Sequence, residues 1–115
     1  MLNKVKKNRT QIRKKYLKKE LLRIKRVLIK SGVKKIILFG SLARGVVGRT
    51  TDIDLLVVKD TKAPFSERLG EIYNTVVPRV AADILVYTRD EMADLSGKSL
   101  FLKRILKEGK ILYAA

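Results

Sequence analysis

Two aspartates, Asp52 and Asp54, stand one residue apart at the entrance to an apolar run, and a glycine-serine pair, Gly40-Ser41, closes an earlier apolar run. Residues of these types, so spaced, could handle a phosphate ester. Carboxylate oxygens suit hard cations such as Mg²⁺, which bind through a few protein carboxylates and take substrate phosphates in the remaining positions. A third carboxylate, Asp83, sits near the start of a later apolar run, AADILVYT. If that run lies beside the strand of Asp52 and Asp54, the three carboxylates complete a site for two ions roughly 4 Å apart, the arrangement used for in-line phosphoryl or nucleotidyl transfer. Gly40-Ser41 could open a helix whose free N–H groups hold a phosphate, with Gly40 allowing close approach and Ser41 adding a hydroxyl donor. Arg44, one turn further on, could reach the same phosphates.

These groups need elements to place them. Residues 36–39 and 53–58 are apolar almost throughout and read as strands buried on both faces. Side chains alternate along a strand, so Asp52 and Asp54 must point to the same side. An unpaired buried carboxylate is unfavourable, and a positive group is therefore expected between them. Taken singly, each signal has an ordinary meaning: a glycine-serine pair marks many turns, and one aspartate is often a cap or strand-edge residue. Their combination at this spacing, flanked by strands and joined by Asp83, is what points to a site. Tyr73, Tyr87 and Tyr113 read as core or surface aromatics.

Composition narrows the chemistry. A chain of 115 residues is one domain by length. It contains no Cys, which excludes disulfides, thiolate metal sites and a cysteine nucleophile. It contains no His, so acid-base or metal chemistry must rest on Asp, Glu, Lys or Tyr. No apolar run approaches the roughly 20 residues of a membrane span, and a cytoplasmic protein is expected. The Lys-, Ile- and Leu-rich composition hints at a thermophile.

The net charge of +16 is concentrated at one end: residues 1–35 hold 15 Lys and Arg against Glu20 alone. Residues 1–9 are expected to fray, with Thr10 able to cap a helix. Leu17, Leu21, Ile24 and Leu28 then form one apolar stripe, with Tyr16 and Val27 beside it, on a long helix ended by Ser31-Gly32. The basic surface of that helix reads as a solvated face or as a contact for nucleic acid or an acidic protein, with Tyr16 alone available for stacking. Beyond the central stretch, Pro64 suits the first turn of a helix carrying Phe65, Leu69, Ile72, Tyr73 and Val76, stopped before Pro78. Thr88 and Glu91 have capping-box spacing for a short helix. Leu100, Phe101, Ile105 and Leu106 suggest a last helix closed by Gly109, followed by an edge strand at residues 111–113. The expected class is α/β (α+β): a small mixed sheet with helices packed on at least one face, residues 1–32 forming a basic helix of the same domain as residues 33–115.

Gly40-Ser41, ten intervening residues, Asp52-Ile53-Asp54 and the lone carboxylate Asp83 together resemble the nucleotidyltransferase pattern of the DNA polymerase β-like superfamily. The chain is most similar to its minimal nucleotidyltransferase (MNT) domains, from about Val33 to Tyr113, and the ending FLKRILKEGKILY is also similar to theirs. The basic first helix is longer and more charged than that resemblance leads one to expect. The resemblance implies transfer of AMP from ATP to an acceptor hydroxyl, with Asp52 and Asp54 binding two Mg²⁺ ions and Asp83 sharing one and helping to deprotonate the acceptor. Gly40, Ser41 and Arg44 would hold the triphosphate. It also implies an antitoxin that adenylylates a HEPN-type toxin. A non-catalytic module of the same fold, which neutralises or scaffolds a partner or binds nucleic acid through residues 1–35, is the alternative. A homo- or hetero-oligomer is plausible for so small a domain.

Overall fold

The computed structural model describes residues 2–115, with side chains from residue 8 onward. Nine elements follow one another: α1 (Leu2–Lys30), β1 (Lys35–Phe39), α2 (Gly40–Ala43), β2 (Ile53–Val58), α3 (Phe65–Val76), β3 (Ala82–Tyr87), α4 (Arg89–Leu95), α5 (Leu100–Glu108) and β4 (Lys110–Ala114). The strands form one mixed sheet in the order β3-β2-β1-β4. β1 runs antiparallel to both of its neighbours, whereas β2 and β3 are parallel, with α3 as their crossover.

Why the central strands are apolar on nearly every residue is visible in their packing. Ile36, Leu38, Ile53, Leu55, Val57, Ile84 and Val86 face one way and are covered by α1 and α3. Ile37, Leu56 and Val58 face the other way and meet Leu102 and Ile105 of α5, with Met92 and Leu95 of α4 beside them. Helices thus cover both faces. Leu17, Ile24 and Leu28 are wholly buried, each contributing about 1.5–3 kcal/mol by apolar burial.

The first helix departs from expectation at its start. It is helical from Leu2, so Thr10 lies inside it and caps nothing. Residues 2–10 contain no Gly or Pro to interrupt it, and four of them are the good helix formers Lys and Arg. Tyr16 is about half-exposed, not part of the buried stripe.

Two other helices turn differently from their apolar patterns. On α3 the buried positions are Arg68, Ile72 and Val76, while Phe65 and Leu69 are half-exposed. Arg68 can be buried because its guanidinium donates to the Ala63 carbonyl at 2.9 Å, the Val86 carbonyl at 3.3 Å and Glu91 Oε1 at 2.5 Å. Hydropathy alone misranks such a residue. On α5 the core contacts are Leu102 and Ile105; Leu100, Phe101 and Leu106 are exposed. The remaining punctuation is as read: Thr88 and Glu91 form a full capping box, α3 stops before Pro78, and an edge strand follows Gly109. Gly109 is there for space, since a Cβ would lie 2.5 Å from the Ile105 carbonyl oxygen and 2.6 Å from Ile37 Cγ2.

Candidate active site

All the residues singled out by chemistry gather at one end of the sheet, where β1 ends and β2 and β3 begin. Phe39, the last residue of β1, pairs with Asp54, and Asp54 pairs in turn with Asp83 across the parallel β2–β3 ladder. Alternation then fixes the face. Ile53, Leu55 and Ile84 point to α1 and α3, so Asp54 and Asp83 point to the α4 and α5 side. Asp52, immediately before β2, shares that parity. Asp52 and Asp54 are half-buried, and Asp83 is exposed.

Asp54 senses the other two carboxylates. Burial raises the pKa of Asp54 above its ordinary value of 3.8, the charges of Asp83 and Asp52 raise it further, and Arg44 opposes them. Arg44 is the positive charge that opposes the others at Asp54, and the cation expected between Asp52 and Asp54 is not supplied by a side chain in contact with them: among the described residues none of the three aspartates forms an ion pair. Nor do three acidic groups among the described residues converge into a closed ligand set. The donor set nevertheless fits Mg²⁺: it is all hard oxygen, it is short of positive charge, and it leaves positions for phosphate.

Gly40 is required here for two reasons. Its φ of 74° lies in the left-handed region, and a Cβ would land on Oδ2 of Asp54. The bare Gly40 backbone is what lets the turn lie against the Asp54 carboxylate. Ser41 and Leu42 follow in α2, a single turn ended by Arg44, which is exposed. The first N–H groups of a helix have no internal partner, so the α2 amides remain available to an anion. Thr51 shapes the return: its buried hydroxyl accepts from the Gly48 N–H at 2.7 Å. Its carbonyl accepts from the guanidinium of Arg13 at 3.3 Å, which brings α1 to the residue preceding Asp52.

Some residues around the site were not foreseen. A cleft of about 610 Å³ opens beside the turn, between Phe39, Gly40 and Arg44 on one side and Phe101, Arg104 and Glu108 of α5 on the other. Its volume is in the range of small-molecule sites. Phe101 and Phe39 pack edge to face, with ring centroids 6.0 Å apart, and Phe101 remains half-exposed. In the sequence Phe101 reads as one of the apolar residues of the last helix, with no signal that sets it apart. Nor do Arg13, Thr51 and Tyr73 carry one; the Tyr73 hydroxyl donates to the carbonyl of Ala82, next to Asp83.

The sequence and fold are matched elsewhere. A family described as the nucleotidyltransferase domain matches residues 14–113. A protein of Methanocaldococcus jannaschii, provisionally named a protein adenylyltransferase, is 33% identical over 88 residues, covering 70% of this chain and 79% of that protein. A chain of the toxin-antitoxin MntA-HpeT superposes with a TM-score of 0.54 at 22% identity, covering 80% of this chain and 70% of that one. A toxin-antitoxin chain crystallised with AMP-PNP gives 0.53 at 21% identity, covering 81% and 72%. At these identities the two crystal structures show likeness of fold.

Proposed function

The chain belongs to the nucleotidyltransferase domain family, and from that premise we propose that it transfers AMP from ATP to a hydroxyl of a partner protein. The observation that carries this reading is the in-register pair Asp54 and Asp83, with Asp52 on the same side and the Gly40-Ser41 turn against Asp54. Asp52 and Asp54 would hold Mg²⁺, with Asp83 sharing it. When bound, Mg²⁺ supplies charge neutralisation on the triphosphate and polarisation of its α-phosphorus. The amides of Gly40 and Ser41, the Ser41 hydroxyl and Arg44 bind the phosphates. The cleft between that turn and α5 takes the nucleoside. The acceptor oxygen attacks the α-phosphorus, its proton passes to Asp83, and pyrophosphate leaves. Asp83 suits the proton because it is the exposed carboxylate of the three, open to an incoming hydroxyl.

The name of the archaeal relative and the toxin-antitoxin origin of the two structural neighbours support a protein acceptor, and a HEPN-type toxin is the acceptor we propose, with this chain as antitoxin. The test is incubation with labelled ATP, Mg²⁺ and the product of the neighbouring gene. Label should enter that protein. Label transfer that persists in Asp52→Ala plus Asp54→Ala would overturn the assignment of the site, and stable binding with no transfer would favour a non-catalytic module.

A further inference from the structure

A second cavity, larger than the cleft at Phe101, lies away from the carboxylates. It is a groove of about 790 Å³ along α1, closed at one end by the segment that joins α3 to β3. Its apolar part includes Tyr16 and Leu22, each 47% exposed, and the half-buried Val27. Its walls carry Lys19, Arg26, Lys30 and Arg79, all exposed. None of these four forms an ion pair among the described residues. Glu20, the one acidic residue lining the groove, is buried and already engaged: it accepts from Arg23 Nε at 2.6 Å and from the Arg79 N–H at 2.6 Å.

The groove is tied to the site. Arg23 donates to the carbonyls of Val76 and Val77, at 3.0 Å each, so α1 grips the segment that runs from the end of α3 through Arg79 to β3. Asp83 is the second residue of that strand. Whatever lies in the groove therefore contacts the segment that leads into the strand of Asp83, from the α1 side of the sheet.

We infer that this groove is the docking surface for the protein acceptor, and that the segment it takes is an amphipathic helix with an apolar stripe and acidic flanks. An apolar floor between basic walls is complementary to that chemistry and to little else. A second copy of the chain is disfavoured, because a protein of net charge +16 would oppose like charge to like. RNA would engage the walls but has one aromatic, Tyr16, to stack on, and it would leave Leu22 without a partner. That the docked segment presents the hydroxyl to be modified rests on the adenylyl-transfer reading; the docking itself does not.

The test uses the full chain and a labelled synthetic helix of about 18 residues, long enough to follow α1 through the groove, with leucines at i, i+3, i+4 and i+7 and glutamates elsewhere. Controls are a scrambled peptide of the same composition and a single-stranded RNA of equal length, all followed by fluorescence anisotropy without ATP. The striped peptide is expected to bind roughly tenfold more tightly than the scrambled one and to weaken as salt is raised. Lys19→Glu with Arg26→Glu, and separately Leu22→Ser, should each weaken it by a similar factor. These side chains are exposed, so the variants keep the fold. Equal binding of the scrambled peptide, tighter binding of RNA, or indifference to the variants would overturn the inference. Asp52→Ala plus Asp54→Ala should bind the peptide as the parent does, so failure to transfer AMP and failure to dock are read separately.

Discussion

Asp54 and Asp83 are register partners on adjacent parallel strands, and their side chains leave the same face of the sheet one strand spacing, about 4.8 Å, apart. Backbone pairing fixes that proximity, so neither carboxylate can retreat without breaking the β2–β3 ladder. Asp52 adds a third negative charge, and Arg44 offsets it only in part. The protein thus holds an unfavourable cluster in its folded state, as sites that bind charge commonly do.

Replacing Asp54 by Asn should abolish transfer and yet stabilise the protein at neutral pH. The folded-state pKa of Asp54 is raised above 3.8, so folding favours its protonated form. The resulting penalty is absent below pH 3.8, grows as pH rises toward the folded value and is complete above it. Thermal melts of Asp54→Asn and the parent should therefore differ at pH 7, with the variant higher, and converge as pH falls to 3.8 and below. A variant no more stable than the parent at pH 7 would show that the carboxylate is not strained.

Gly40→Ala separates close approach from backbone freedom. Its Cβ would collide with the Asp54 carboxylate, and its φ of 74° adds strain. A loss of about 1–3 kcal/mol in stability is expected. With Asp54 displaced by the order of 1 Å, transfer should fall on the order of 100-fold. Gly32→Ala is the control: φ there is 91°, but nothing lies within 4 Å of the added Cβ. It should share the strain and keep the activity, as urea melts and a transfer assay on both variants would show.

How far the sequence carries can be judged from the same residues. Asp52 and Asp54 could be placed on one side of a strand because period-two alternation is local. The strand breaks, the capping box of Thr88 and Glu91 and the stop before Pro78 were legible for the same reason. Pairing is not local: the Asp54–Asp83 register depends on where α3 returns the chain, and the sequence offered it only as a condition. Arg68 and Glu20 were invisible as interior residues because part of what satisfies each lies far away in the chain, the Val86 carbonyl for Arg68 and the Arg79 N–H for Glu20. The cleft at Phe101 depends on which face α5 turns to the sheet, and its apolar residues were too evenly spread to say.

Glu91 links α3 to α4 and should report on acid stability. Its carboxylate accepts from Arg68 at 2.5 Å and from the Thr88 N–H at 2.8 Å, and the Arg68 guanidinium foremost holds its pKa below the ordinary 4.5. A depressed carboxylate stabilises the fold above its unfolded value and loses that contribution as pH falls through the folded one. Glu91→Gln should cost about 1 kcal/mol at pH 7, a value kept small by the partial exposure of the carboxylate. The gap between variant and parent in chemical denaturation should close below pH 4.5. A gap that widened on acidification would mean that Glu91 is not the partner that Arg68 depends on.

Phe101 and Arg104 test where the nucleoside lies. Both border the cleft that begins at Gly40 and Arg44, and both are exposed enough to be replaced without cost to the core: Phe101 is half-exposed and the Arg104 side chain is 77% exposed. The Phe101 ring packs edge to face with Phe39 and lines the same cleft as Gly40 and Arg44 of the turn, so it offers an aromatic surface to a nucleoside in that cleft. Stacking of a base on an aromatic ring contributes about 1–3 kcal/mol, so Phe101→Ala should raise KM for ATP roughly tenfold or more. Because the ring touches no reacting atom, kcat should be nearly unchanged. Arg104→Ala should raise KM less, its cation being already shared with Glu108 at 3.7 Å. Steady-state kinetics with ATP as the varied substrate decides the point: a fall in kcat at constant KM would move the nucleoside out of this cleft and make Phe101 a support for the position of β1 instead.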